Sequence, residues 1–492
     1  MKLKDKTDQC RDYYAKLQGY ATQTSVWSDE IAYLCKAFDS DFTQWDQDLV
    51  YLQRADRIAK IFIAGLENNQ TFKDALTDIT APLWTDFTNP PVSEDLQDSV
   101  AQKLYFQTIE PDAKGRITIA EGARYIGVQL LAYAERDAVP FYVQIMDSNF
   151  TTLLINHTDD DKIAALADYT AASLVGVTKR IAANSGTSVH KTVKADKEKH
   201  RLYREHLAKR VSGTGTLDFC LTSIPSRKDA EIDGIDYDDY IKLYFEMCDQ
   251  PWDHIGRAHE KLIGILNATT QLRFRNNDGT DLTMELIDYD GTHFTFCNSL
   301  VARNVPGSEV FSAPRRDSVN GTIVAKGRFA KGGGTIENLT MHFKDGKLTA
   351  FAADKGAEYF QDYIDSTEQT RYVGEIGIGT NPHLKRHVKN TLLVEKIGGS
   401  FHVALGGCYQ MTEYCGVPVH VDNGNIDNAH HWDITTLLYG KDGTIETDGE
   451  IIMKDGRFTD PDLAVLNEGW AAVPVADRPA YWKDFEGYAK NT

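Results

Sequence analysis

From about residue 270 onward the chain alternates short apolar runs with glycine turns, and this pattern leaves little choice of architecture. Asp-Gly pairs stand at 278–279, 290–291, 345–346, 442–443 and 455–456, between segments such as LTMELIDY and ENLTMHF that alternate in polarity. An Asp-Gly pair suits a two-residue hairpin, because both central residues of the favoured turn need positive φ and these two types tolerate it. Antiparallel sheet is therefore expected over 271–492. The run Gly332-Gly333-Gly334 precedes neither a Lys-Ser/Thr pair nor a helical pattern, so it reads as a tight turn and not as a phosphate loop.

Upstream the periodicity changes. In DLVYLQRADRIAKIFIAGL, Leu49, Leu52, Ala55, Ile58, Ala59, Phe62, Ile63 and Leu66 recur at threes and fours, which predicts one apolar helix face. Asn68 and Asn69 suit its C-terminal cap. After the Asn89-Pro90-Pro91 break, Ser93 is placed to cap a helix running towards Leu104. Residues 1–105 are thus expected to form a helical N-terminal extension. Over 106–270, FYVQI (141–145) and TLDFCLTSI (216–224) read as strands, and 160–180 and 255–268 as helices, an alternation that predicts an α/β domain. The expected class is α/β plus mostly-β (α+β), with the β-rich part over 271–492. Three such pieces fit the length of 492 residues at roughly 100–200 residues per domain.

Charge and cysteine usage exclude several roles. With 53 Lys plus Arg against 72 Asp plus Glu, a net charge of -19 disfavours nucleic acid and anionic membrane surfaces as partners. The polar start MKLKDKTDQC offers no apolar signal-peptide core, and no run reaches the roughly 18 apolar residues of a membrane span. Cys10, Cys35, Cys220, Cys248, Cys297, Cys408 and Cys415 are scattered and lack CxxC spacing, which speaks against a disulfide framework or a cysteine-bound zinc. A cytoplasmic location is expected.

Histidines and carboxylates carry the chemistry. His190, His200 and His206 lie in a Lys- and Arg-rich stretch, and HRLYREH lacks the HExxH arrangement; a solvated helix is expected there. Three segments of the β-rich part are more telling: NVPGSEVFSAP with Glu309; GEIGIGTNPHLKRHVKNTLLVEKIGGSFHVALGGCY with Glu375, Glu395, His402 and Tyr409; and NAHHWD with His431 and Asp433. In an extended strand His431 and Asp433 share one face while Trp432 points to the other. His420 and Asp422 have the same spacing and are a rival pair. Two Glu, one Asp and two neutral His make a mixed oxygen and nitrogen donor set suited to Zn, Mn or Co. Such a set exceeds the needs of one tetrahedral zinc, so two ions sharing a carboxylate and activating a water are expected.

These segments, in this order and separation, resemble the signatures of the M29 metallopeptidases, the aminopeptidase T/S family. LTSIPSRKDAEIDGIDYDDYIKLYFEMCDQPWDHI and the GTDLT turn at 279–283 extend the resemblance to roughly residues 110–490. It implies a two-domain aminopeptidase T-like fold behind the N-terminal extension, with metal ligands at Glu309, Glu375, His402, His431 and Asp433. It also implies two divalent ions per chain (Zn, Co or Mn), short peptide substrates and a homodimer. Glu395 and Tyr409 fall on the remaining active-centre positions, as proton shuttle and oxyanion donor; His420 and Asp422 match nothing, and His430 becomes a neighbour. Ser308 departs from the family's usual glycine, and the GGS before His402 is slightly long. Relatives of this fold include ring-cleaving dioxygenases with a single Fe(II), for which His402, His431 and Asp433 would suffice; the presence of Glu309 and Glu375 favours hydrolysis.

Overall fold

The computed structural model describes residues 3–21, 92–105, 115–120, 141–146, 148–172, 179–185, 195–211 and 218–487 apart from 302, 332–333 and 428, with a few single or paired positions between. The chain divides into two compact units, 1–90 and 91–492. In the first, helix Leu3–Ala21 buries Cys10, Tyr14 and Leu17, whose spacing makes one stripe. Ala59 and Ile63 are helical and buried, as the 48–66 periodicity predicts. The remainder of that helix and its Asn68 and Asn69 cap lie outside the described residues.

The boundary falls at the Pro-Pro break and not at 105. Ser93 Oγ accepts from Leu96 N at 3.3 Å and starts helix Glu94–Tyr105, as expected of a cap. That helix, however, belongs to the second unit. Its Leu96, Val100, Ala101, Leu104 and Tyr105 join Ile117, Ile119, Ile181 and Ile224 in one apolar core.

This core lines a parallel sheet of five strands in the order Phe141–Met146, Gly115–Ala120, Lys179–Ser185, Asp218–Ile224 and Asn304–Val305. The strands at 115 and 179 are missed by periodicity, because charged Arg116, Lys179 and Arg180 interrupt very short apolar runs. The helix expected over 160–180 ends at Ala172.

A second core fills the β-rich part. Helix Trp252–Asn267 packs its Trp252, Ile255, Ala258, Leu262 and Leu266 stripe into it, although it precedes residue 271. Eight strands, from Lys347–Lys355 at one edge to Arg457–Phe458 at the other, form a broad antiparallel sheet. Two of its hairpins turn at predicted Asp-Gly pairs: Asp345 and Gly346 have φ of 50° and 79°, and Asp455 and Gly456 have 48° and 67°, whereas at 278–279 and 290–291 only the glycine and at 442–443 only the aspartate has positive φ. Asp448-Gly449, not singled out in the sequence, makes another, with φ of 50° and 91°.

The third sheet positions the site. It is antiparallel, in the order His431–Leu437, Ser400–Gly406, Val373–Gly379, Glu309–Ser312 and Cys297–Ser299. One face carries Ile376, Ile378, Phe401, Val403, Leu405, Trp432 and Ile434 into the second core. The strand period of two then forces the alternate residues onto the opposite face.

Candidate metal centre

That opposite face gathers the donors by register alone. Gly379 lies opposite Glu309, Gly377 opposite both Phe311 and His402, and Ala404 opposite both Glu375 and Asp433, while Gly406 pairs with His431. On the three strands 373–379, 400–406 and 431–437 glycines and Ala404 thus stand opposite the donors, and neighbouring groups pack closely over the glycines. At Gly377 a Cβ would lie 2.2 Å from His402 Cε1 and Nε2, so only glycine lets the imidazole lie across the neighbouring strand.

His431 Nε2 is 3.2 Å from Glu375 Oε2 and 3.3 Å from Asp433 Oδ1. One donor atom from each of these three residues lies within 4.8 Å of the others, the spacing a single ion requires. His402 Nε2 is 3.4 Å from Glu375 Oε1 and 3.7 Å from Glu309 Oε2. The structure therefore brings together all five residues singled out as ligands. Glu309, Glu375 and His402 are buried, while His431 and Asp433 are partly open.

The chemistry of this set demands a positive centre. His431 Nδ1 lies 2.8 Å from the Gly407 carbonyl, to which it donates, so in the neutral ring the Nε2 lone pair faces two carboxylate oxygens. Glu309 Oε2 and Glu375 Oε2 are buried acceptors with no hydrogen-bond donor among the described residues. Protons are one remedy. Burial pulls His402 down, but its hydrogen bond to Glu375 and the charge of Glu309 outweigh this and push it up to about 9. His431 is raised well above its ordinary value against the same burial, by Asp433 and Glu375. Burial opposes ionisation of Asp433, yet the His431 charge holds it below the usual carboxylate range. A divalent cation is the other remedy, and held by Glu375, His431 and Asp433 it satisfies the orphaned Glu375 oxygen and the His431 lone pair at once.

Around the donors stand groups able to move or donate protons. Glu395 follows the short helix Thr391–Val394, and burial together with the Asp433 charge raises it to about 8. Tyr409 is 41% exposed, its ring 5.6 Å from that of His431 and 5.2 Å from Phe311. The Glu375 charge, with burial, keeps its hydroxyl protonated far above neutral pH.

Three contributors escape sequence reasoning. Lys396 is completely buried; its Nζ hydrogen-bonds Glu309 Oε1 and lies 3.4 Å from Glu395 Oε2. Lys331 Nζ donates to the His431 carbonyl. His259 supports the loop that presents Glu309: its Nδ1 is 2.7 Å from Asn298 Oδ1, and its Nε2 is 2.7 Å from Thr380 Oγ1 and 3.0 Å from Ser308 Oγ. Ser308, conspicuous in the sequence as a departure, thus joins a buried hydroxyl and imidazole network. Only long-range pairing assembles these groups, and the one local signal was an unexplained Ser308.

The rival residues lie apart from this cluster. His420 Nε2 binds Asp288 Oδ2 at 3.0 Å and its ring stacks on Phe294 at 4.7 Å, while Asp422 accepts from Gly424 N. His430 pairs with Asp427 through Nδ1 at 2.9 Å. His200 and His206 sit on helix Lys197–Val211, where Arg201 pairs with Glu198 and Glu205 at the surface, and His190 lies outside the described residues.

The chain resembles known proteins over part of its length. The chain is 31% identical to aminopeptidase T of Thermus thermophilus over 169 residues, and 27% identical to aminopeptidase AmpS of Bacillus subtilis over 176 residues. Each match covers 32% of this chain and 41% of the relative, so less than half of those relatives is spanned. Aminopeptidase T of Thermus aquaticus is 28% identical over 222 residues, 42% of this chain and 54% of the relative. In three dimensions the solved wild-type AmpT from Thermus thermophilus matches with a TM-score of 0.60 and 21% identity, covering 75% of this chain and all (100%) of that one. This likeness shows the α+β fold. The profile of the thermophilic metalloprotease (M29) family matches residues 121–458, which include every donor described above, and the chain belongs to that family.

Proposed function

We propose that the protein is a metal-dependent aminopeptidase that removes N-terminal residues from short peptides. The observation that carries this reading is the cluster of Glu375, His431 and Asp433, with His402 and Glu309 beside it, on one face of the third sheet. A divalent ion held there supplies Lewis acidity towards the peptide carbonyl and lowers the pKa of water.

The protein's own side chains do the rest. Glu395 takes the proton of the attacking water and passes it to the departing amine. Tyr409, at the open rim and firmly protonated, donates to the oxygen that becomes negative in the tetrahedral intermediate. The carboxylates of Glu309, Glu375, Glu395 and Asp433 favour a protonated substrate amine, which restricts cleavage to chain ends. A homodimer, which the family resemblance implies, and a cytoplasmic location, which the cysteine usage suggests, belong to the same proposal. No helix among the described residues is long and apolar enough to cross a membrane.

Hydrolysis of leucyl p-nitroanilide, followed after chelation and after return of Zn, Co or Mn, tests the reading together with metal analysis. Activity lost with the chelator and restored by the ion is expected. One iron per chain with no hydrolysis would instead point to ring-cleaving oxygenase chemistry on the same fold.

A further inference from the structure

Lys396 is a buried ammonium inside a site otherwise made for cations. Its Nζ hydrogen-bonds one oxygen of Glu309, and the other oxygen of that carboxylate faces His402 Nε2 at 3.7 Å. Glu395 Oε2, 3.4 Å away, completes its surroundings. A buried ammonium persists only where carboxylates compensate its lost hydration. The Lys396 charge therefore occupies the Glu309 side of the site, while Glu375, His431 and Asp433 bring their donor atoms within 4.8 Å of one another on the other side.

A divalent ion placed on Glu309 would share that carboxylate with the ammonium at a few ångströms, where like charges shielded from water repel strongly.

We propose that the Lys396 ammonium takes the place of one of the two ions that the family resemblance implies. Each chain then holds a single divalent ion on Glu375, His431 and Asp433, while Lys396 neutralises Glu309 and orients Glu395. Lys396 is a positioning residue in this scheme. The inference rests on the metallopeptidase reading and specifies its ion content.

The test strips the full-length protein with a chelator and titrates it with Co(II). Bound cobalt per chain is measured by elemental analysis after gel filtration, and the visible ligand-field bands are followed in parallel. Wild type should saturate at one equivalent, Lys396→Asn at two, and Lys396→Arg, which keeps the charge, at one. Two equivalents in wild type, or one in Lys396→Asn, would overturn the proposal and leave the peptidase reading intact. No cobalt bound by folded wild type would remove both. Should Lys396→Asn lose its native circular dichroism, Lys396→Met keeps the volume of the stem without the charge and is read by the same criterion. If neither neutral variant folds, the wild-type count decides.

Discussion

At Gly377 the absence of a side chain decides where His402 can lie, since an added Cβ would stand 2.2 Å from the ring. Gly377→Ala is therefore expected to displace the imidazole and weaken metal binding about 10- to 100-fold, the range typical of lost support around a ligand. Competition against a coloured chelator measures this, and unchanged affinity would show that the ring has room to move. Glu375→Ala, which removes a donor shared by both histidines, should cost more, on the order of 100-fold or greater, with activity falling in step. His420→Ala should leave hydrolysis nearly intact, because His420 pairs with Asp288 and stacks on Phe294 away from the donors. A large loss there would reverse the choice between the two H-x-D pairs. Composition and spacing made the donor types legible, but a choice between His431-x-Asp433 and His420-x-Asp422 needed either family likeness or the strand register. Lys396 stayed hidden because its partner Glu309 is 87 residues away, and nothing local marks a lysine beside Glu395 as buried.

Among the elements, hairpins and amphipathic helices were the most legible, since each is specified by residues close in sequence. Asp345-Gly346 is an example: Gly346 has φ of 79°, and a Cβ there would meet the Arg316 carbonyl oxygen at 1.9 Å. Gly346→Ala should destabilise the protein by about 2 kcal/mol or more, combining left-handed strain with a backbone clash. Urea unfolding with a midpoint equal to wild type would refute this. The parallel strands Gly115–Ala120 and Lys179–Ser185 were illegible for the opposite reason: short runs flanked by charge owe their conformation to neighbours far along the chain. Helix Trp252–Asn267 illustrates a functional role that periodicity cannot convey. Its apolar stripe was readable, but the stripe's buried His259 braces the Glu309 loop. Burial holds His259 near pKa 4, below the 6.5 of an exposed ring, so the unfolded chain binds the extra proton between these values. Stability is then fully present above pH 6.5 and declines as pH falls towards 4, by up to about 3 kcal/mol from this group alone. His259→Gln, which can still bond Asn298 and Thr380, should flatten the melting temperature across that window. An unchanged slope would assign the acid sensitivity elsewhere.

For the molecule as a whole, all donors and their supports lie within the unit 91–492. A chain beginning at residue 91 should therefore still bind its metal, as measured by elemental analysis, even if the first unit governs access or assembly. Loss of binding with the fold retained would give residues 1–90 a direct part in the site. The net charge of -19 also changes meaning at this scale. Most of it is surface, but four of the carboxylates are compensated within the site by Lys396 and by the ion they are proposed to hold. The two-faced sheet sets a limit on how such a protein diversifies. Ile376, Ile378, Phe401, Val403, Trp432 and Ile434 fill the core between the very residues that carry or make room for the donors. A shift of one ligand would thus require repacking the interior behind it. New substrate preferences are consequently free to arise in the segments that rim the sheet, such as the one bearing Tyr409, while the strands stay fixed. Drift and selection should write their differences around the chemistry and leave its floor unchanged.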